Sequence, residues 1–240
     1  MTAWLDHLRE NLPWLLAPGC CVLCGFASHS RQDLCSVCRD DLRAMPDPCL
    51  RCGLPMPAGS AGAQACGTCR LRPPRHERLV AACSYSDPAD LLVQALKYRK
   101  LLPAARVMAE IMFERCPRDA FSADAALLPV PLHRWREWRR GFNQSTLIAT
   151  RLARLGPWRL LRNAVCRQRA TRAQAGLSRS ARRRNLAAAF KVTRHSLPAS
   201  VVIVDDVVTT GATLDALALT LQRAGVRDVR AWTFARTPAI

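Results

Sequence analysis

"VVIVDDVVTTGATL", residues 201–214, decides how this chain is read. Val201 to Val204 are four β-branched residues in a row, the pattern of a strand buried on both faces. Asp205 and Asp206 follow, then Val207 and Val208, then a turn of Thr209, Thr210, Gly211, Ala212 and Thr213. A helix is predicted from about Thr213 to Ala224, with Gly225 as its stop. A turn of this composition between strand and helix leaves several backbone amides aimed at one spot. Gly211 permits close approach, the hydroxyls donate, and the helix start adds a favourable partial charge. Such a turn suits a monophosphate. The two carboxylates just before it repel phosphate, but they accept hydrogen bonds from vicinal hydroxyls. A 5-phosphorylated ribose satisfies both demands.

Working outward, strands and helices alternate. "LVAACSYS" (79–86) reads as a strand, and "PADLLVQALKYR" (88–99) as a short amphipathic helix with Leu91, Leu92, Ala95 and Leu96 on one side. A second helix is predicted over 101–115. "AALLPVP" (125–131) is a buried strand stopped by Pro129 and Pro131. "NQSTLIATRLARLG" (143–156) is a helix capped by Asn143 and closed by Gly156, and "VRAWTFA" (229–235) is a last strand. This alternation predicts an α/β fold with a parallel, doubly wound sheet and helices on both faces. Ligands of such sheets bind beyond the carboxyl ends of the strands, where Asp205 and Asp206 stand.

The chain has 240 residues, enough for one large domain or two modest ones. No apolar run reaches the roughly 20 residues of a membrane span. The opening "MTAWLDHLRENLPWLLAP" carries Asp6 and Glu10 and lacks the basic start of a signal peptide. A cytoplasmic protein without membrane insertion is expected, so its twelve cysteines point to metal or redox chemistry rather than disulfides. Eight of them form four Cys-x-x-Cys pairs: Cys21 with Cys24, Cys35 with Cys38, Cys49 with Cys52, and Cys66 with Cys69. One such pair would fit a redox motif equally well. Four pairs within about fifty residues predict two structural Zn2+ sites of four cysteines each. Pairing is either sequential, which is simplest, or cross-braced, and Cys20 can stand in for Cys21. Gly25, Gly53 and Gly67 are expected to supply left-handed turns at the knuckles. The region has few long apolar periods, so metal replaces the core it lacks. Cys83, Cys116 and Cys166 are isolated and read as small packing residues. The expected organisation is a helical segment over 1–17, a double zinc ribbon over 18–76, and an α/β domain over 77–240.

The formal net charge is +18, and lysine contributes only Lys97, Lys100 and Lys191. Part of this surplus reflects an Ala- and Arg-rich composition. Between Glu137 and Asp205, however, no acidic residue occurs while arginines accumulate, among them Arg139, Arg140, Arg151, Arg167, Arg179 and Arg182 to Arg184. Guanidinium forks match phosphate oxygens, so a polyanionic ligand or nucleic acid is the physical expectation. Trp135 and Trp138 alternate with Arg134, Arg136 and Arg139. Packing at the domain junction is their preferred reading, and stacking on nucleobases the other.

The stretch at 201–214 resembles the phosphoribosyl diphosphate (PRPP) fingerprint of type I phosphoribosyltransferases, and almost the whole chain resembles the ComF family of competence and GntX-type proteins. The resemblance is carried by the paired cysteines with "CGLP" (52–55), "LKYR" (96–99), "PVPLH" (129–133), "RGFNQ" (140–144), "QAGLSRSARRRN" (174–185) and the fingerprint itself. Lys100 departs from the family, which often carries glycine after "KYR". The resemblance implies that Asp205 and Asp206 hold the ribose hydroxyls and that residues 207–213 receive the 5-phosphate. It also implies that "PVPLH", with Pro131 and His133, meets pyrophosphate, and that residues 167–190 form a lid. PRPP enters with Mg2+, and a transferase would displace pyrophosphate from C1 of the sugar. Lys97, Arg134, Arg139 and Arg140 are candidates to neutralise the leaving group, with Arg179 and Arg182 to Arg184 arriving on the lid, while His133 either bonds a diphosphate oxygen or caps its loop. No general base stands out. The resemblance equally implies a non-catalytic partner of single-stranded DNA, working beside competence or DNA-processing proteins such as a helicase.

Overall fold

The computed structural model describes residues 19–28, 33–57, 64–168 and 189–238. The helical segment expected over 1–17 and the "QAGLSRSARRRN" stretch lie outside those residues. Two single-turn helices, α1 (Ser36–Asp40) and α2 (Gly67–Leu71), belong to the cysteine-rich region. Then follow β1 (Leu79–Ser84), α3 (Ala89–Arg99), α4 (Pro103–Glu114), β2 (Ala126–Pro129), α5 (Arg134–Arg140) and α6 (Gln144–Leu155). The rest comprises β3 (Arg159–Leu160), β4 (Val165–Arg167), β5 (Phe190–Val192), β6 (Ser200–Val208), α7 (Ala212–Arg223) and β7 (Asp228–Arg236).

Five strands form one parallel sheet in the order β1-β7-β6-β2-β3, and β4 and β5 make a separate antiparallel pair. The Val201–Val204 run lies at the centre of that sheet, paired with β2 on one side and β7 on the other. Val202 and Val204 pack with Leu127, Ile148, Leu152, Trp232 and Phe234 under α3, α4 and α6. Val201 and Ile203 pack on the opposite face with Leu214, Leu217 and Leu221 of α7. Helices therefore cover both faces. Removing each large side chain from water contributes on the order of 2 kcal/mol, which is why the apolar run holds its place.

Local signals account for most boundaries. Asn143 caps α6 by accepting from the Ser145 amide at 3.0 Å, and its side-chain amide donates to the Val130 carbonyl at 3.0 Å. Three details differ from expectation. Leu91 is 46% exposed, and the buried stripe of α3 runs through Ala89, Leu92, Val93, Ala95 and Leu96. Gly67 adopts no left-handed turn but opens α2, whereas Gly25 and Gly53 do have φ of 77° and 70°. Lys100 ends α3 in the left-handed region at φ 55°, so the turn forms without glycine. Among the described residues no helix is long and apolar enough to cross a membrane.

The cysteine region wraps the β1 edge. The Ser84 amide donates to Arg43 at 3.0 Å and the Leu79 amide to Leu50 at 2.8 Å, so the outer edge of β1 is not left open.

Candidate functional site

At the carboxyl end of β6 the chain leaves the sheet, turns through Thr209–Gly211 and enters α7. Gly211 sits at the N-cap with φ 77°, a left-handed conformation that a β-branched residue would resist. Among the described residues, the amides of Thr209, Thr210, Gly211 and Thr213 find no acceptor, while that of Ala212 reaches the Thr210 hydroxyl at 3.4 Å. These donors face a shallow polar depression lined by Asp205 and residues 207–214. Unsatisfied amides at the start of a twelve-residue helix form an anion cradle.

The two carboxylates take different environments. Asp205 lies in the wall of the depression, and its Oδ1 accepts from the Ser145 hydroxyl at 2.8 Å and the Asp206 amide at 3.0 Å. Burial, and secondarily the charge of Asp206, push its carboxyl up to about 7, against the pull of the Ser145 bond and Lys97. Asp206 is 3% exposed and lies outside the lining; its Oδ2 is 2.7 Å from Lys97 Nζ, and its Oδ1 accepts from the Val207 amide at 2.9 Å. Only the first acid thus faces the cradle directly. The second is held beneath it by α3.

The remaining expected residues scatter around this edge. Pro131 and His133 follow β2, whose neighbour in the sheet is β6. His133 caps α5, its Nδ1 accepting from the Trp135 amide at 3.3 Å. Arg140 donates to Gln144 at 2.6 Å across the α5–α6 corner. Trp135 and Trp138 are 57% and 82% exposed, which corrects their expected packing at a domain junction. The Arg139 guanidinium lies 5.6 Å from the Trp135 ring centre. Two contributors were missed by sequence reasoning. Ser145 follows the helix cap without any chemical signature of its own. Arg236, whose guanidinium donates to the Val208 and Thr209 carbonyls at the start of the turn, closes a largely apolar strand, and a charge at the end of such a run was its only signal.

The eight paired cysteines gather into two groups, Cys21, Cys24, Cys35, Cys38 and Cys49, Cys52, Cys66, Cys69, whose sulfurs all lie within 4.8 Å of one another. Pairing is therefore sequential, and Cys20 lies outside both groups. The Cys24–Cys35 and Cys52–Cys66 sulfurs are each 3.8 Å apart. A tetrahedral ZnS4 centre with Zn–S of about 2.3 Å requires S···S of about 3.8 Å, whereas a disulfide needs about 2.05 Å. The thiols also divide in acidity. At Cys21 burial opposes ionisation, but the amides of Cys24, Cys35 and Leu23 outweigh it and bring the thiol down to about 6. Cys38 is pushed far up by burial and by the three other sulfurs. Cys49, at about 7, and the strongly raised Cys69 repeat the contrast. Four sulfurs around one point cannot all ionise without a cation between them. Zinc fits both groups, and with four thiolates no position remains for a catalytic water.

Sheet and cysteine groups together define an α/β protein with a five-stranded parallel sheet flanked by helices, preceded by two four-cysteine groups that fit a double zinc ribbon. No protein-family model matches the chain. It is similar to DNA utilization protein YhgH of Salmonella typhimurium, 37% identical over 228 residues that cover 93% of this chain and 99% of the relative. It is also similar to competence protein F of Haemophilus influenzae, 34% identical over 225 residues covering 90% and 96%. YhgH of Escherichia coli K12 is 36% identical over 229 residues, covering 93% and 99%. The chain belongs to the ComF family.

Proposed function

We propose that this protein binds PRPP at the carboxyl edge of its sheet and transfers phosphoribose to an acceptor, with release of pyrophosphate, in the service of DNA uptake or utilisation. The observation that carries the reading is the pairing of Asp205 with a cradle of unbonded amides on one depression. In this reading the amides of residues 209–213 and the Thr209, Thr210 and Thr213 hydroxyls hold the 5-phosphate. Asp205 accepts from a ribose hydroxyl once its proton is lost, and the Asp206–Lys97 pair fixes the neighbouring charge. Departure of pyrophosphate leaves an oxocarbenium-like C1. The chain must neutralise the leaving group and position the nucleophile; Arg140 and the 131–133 loop stand on the adjoining β2 side for this. Magnesium belongs to the reading as a companion of the diphosphate. The names of the relatives, competence protein F and DNA utilization protein, support the biological setting. Calorimetry with PRPP and magnesium, paired with a pyrophosphate-release assay over candidate acceptors, tests it. Binding that disappears in Asp205→Asn supports the assignment, and an absence of binding by the wild type refutes it.

A second reading has its own observation. Trp135 and Trp138 stand exposed on α5 among Arg134, Arg136 and Arg139. Aromatic faces beside guanidinium groups suit single-stranded DNA, with the sugar-phosphate pocket then serving as a sensor. Salt-steep oligonucleotide binding that survives Asp205→Asn, without pyrophosphate release, selects this reading.

A further inference from the structure

We infer that the second cysteine group shapes the anion cradle, and that Arg236 is the positioning residue that links the two. Arg236 is the last residue of β7 and is 6% exposed. Its Nε donates to the carbonyl of Cys52 at 2.8 Å. Its Nη1 donates to the carbonyls of Val208 at 3.2 Å, of Thr209, and of Thr237 at 3.0 Å. Among the described residues it has no carboxylate partner. A buried guanidinium is tolerated when its donors are satisfied and negative charge lies near, here that of the Cys52 and Cys69 sulfurs, and its planar fork fixes the directions of its acceptors. One acceptor belongs to a cysteine of the second group. Two others are the residues at which β6 becomes the cradle.

Further contacts run the same way. Buried His76 meets the Arg51 carbonyl, inside the Cys49–Cys52 knuckle, through Nε2 at 2.8 Å. Asp215 accepts from the Arg75 amide at 2.9 Å, while its own amide donates to the Gly211 carbonyl at 2.9 Å. Gln222 of α7 donates to the Arg75 carbonyl at 2.8 Å. Gly53 packs against β1, where a Cβ would come within 3.0 Å of the Leu79 side chain. The first cysteine group is anchored elsewhere. Arg115 donates to the Leu42 carbonyl at 2.7 Å, Asp33 pairs with Arg106 at 3.8 Å, and Arg39 pairs with Glu114, all on or next to α4. The two groups share a ligand set and differ in what they touch. Metal at the second group holds Cys52 in place, Cys52 holds Arg236, and Arg236 holds the start of the cradle.

The functional consequence rests on the phosphate reading above, but the coupling itself does not, so the test reads the loop without ligand. Zinc-loaded full-length protein is compared with Cys52→Ser, Cys24→Ser and Arg236→Met by zinc content, chelator-driven zinc release and amide hydrogen exchange. The informative amides are Thr237 and Asp215, which bond the Val208 and Gly211 carbonyls on either side of the cradle. Cys52→Ser should accelerate exchange at both by about tenfold or more, the scale of a lost hydrogen bond to a charged network. Cys24→Ser should leave both within about twofold. Arg236→Met should keep two zinc ions, accelerate the same two amides, and speed release of one metal of the two. Exchange in β2 serves as the control for global loosening. Equal effects of the two cysteine variants, or an Arg236→Met protein with unchanged exchange and zinc release, would overturn the inference. If Cys52→Ser does not fold, Arg236→Met decides alone. A wild type that fails to bind PRPP would refute the phosphate reading and leave this result standing.

Discussion

Replacing Asp205 by asparagine should stabilise the free protein near neutral pH while abolishing its proposed ligand contact. The carboxyl is raised from 3.8 to about 7 by burial and by the charge of Asp206. A group whose folded value is raised keeps its proton in the native state where the unfolded chain has already lost it. Stability therefore falls as pH rises from about 4 towards 7 and flattens above 7. At about 1.4 kcal/mol per pH unit, a shift of this size sets a ceiling of about 4 kcal/mol, and partial solvent access brings the expected effect to about 2 kcal/mol. Asparagine keeps the acceptor for Ser145 and removes the ionisation. Urea denaturation of both proteins from pH 5.5 to 8.5, with zinc held saturating, should show asparagine ahead by an amount that grows up to pH 7 and then levels. Zinc-thiolate protonation acts on both proteins alike and cancels in the difference. A difference independent of pH, or one that shrinks as pH rises, would refute the assignment of a raised, coupled carboxyl.

Three other outcomes follow from single contacts. Lys100→Gly should stabilise the chain by about 0.5–1 kcal/mol in thermal or urea unfolding, because it relieves a left-handed residue, whereas Lys100→Ala should not. Lys97→Met leaves Asp206 buried without its cation and should cost about 2–3 kcal/mol by the same assay; a change under about 0.5 kcal/mol would dismiss the ion pair as structural. Trp138→Ala should leave stability within about 0.5 kcal/mol of wild type, since the ring is exposed. If α5 carries single-stranded DNA, the same change should weaken oligonucleotide binding by about 1–3 kcal/mol in a fluorescence-anisotropy titration.

What the sequence made legible was whatever depends on local chemistry. The Val201–Val204 run had to be a buried strand, and the turn after it had to present amides, because period and composition dictate both. The cysteine spacing led to two four-sulfur groups, although only three-dimensional closure chose sequential pairing and left Cys20 out. What stayed hidden were contacts between distant segments. Nothing around position 97 says that its lysine reaches Asp206, and nothing at 145 says that its hydroxyl meets Asp205. Arg236 contacts Cys52 across most of the chain's length. Leu91 was misplaced because helical spacing allowed two overlapping stripes, and only packing against the sheet decided between them.

The central claim is that the end of β6 grips a phosphorylated sugar between Asp205 and the amides of the following turn. The most direct measurement is a 15N-resolved NMR titration of the zinc-loaded chain with ribose 5-phosphate and then with PRPP and magnesium. Shifts concentrated at the amides of Thr209, Thr210, Gly211 and Thr213, and lost in Asp205→Asn for PRPP, are the predicted result. Saturable binding that leaves those four amides unmoved, with shifts confined to the cysteine groups or to α5, would contradict it.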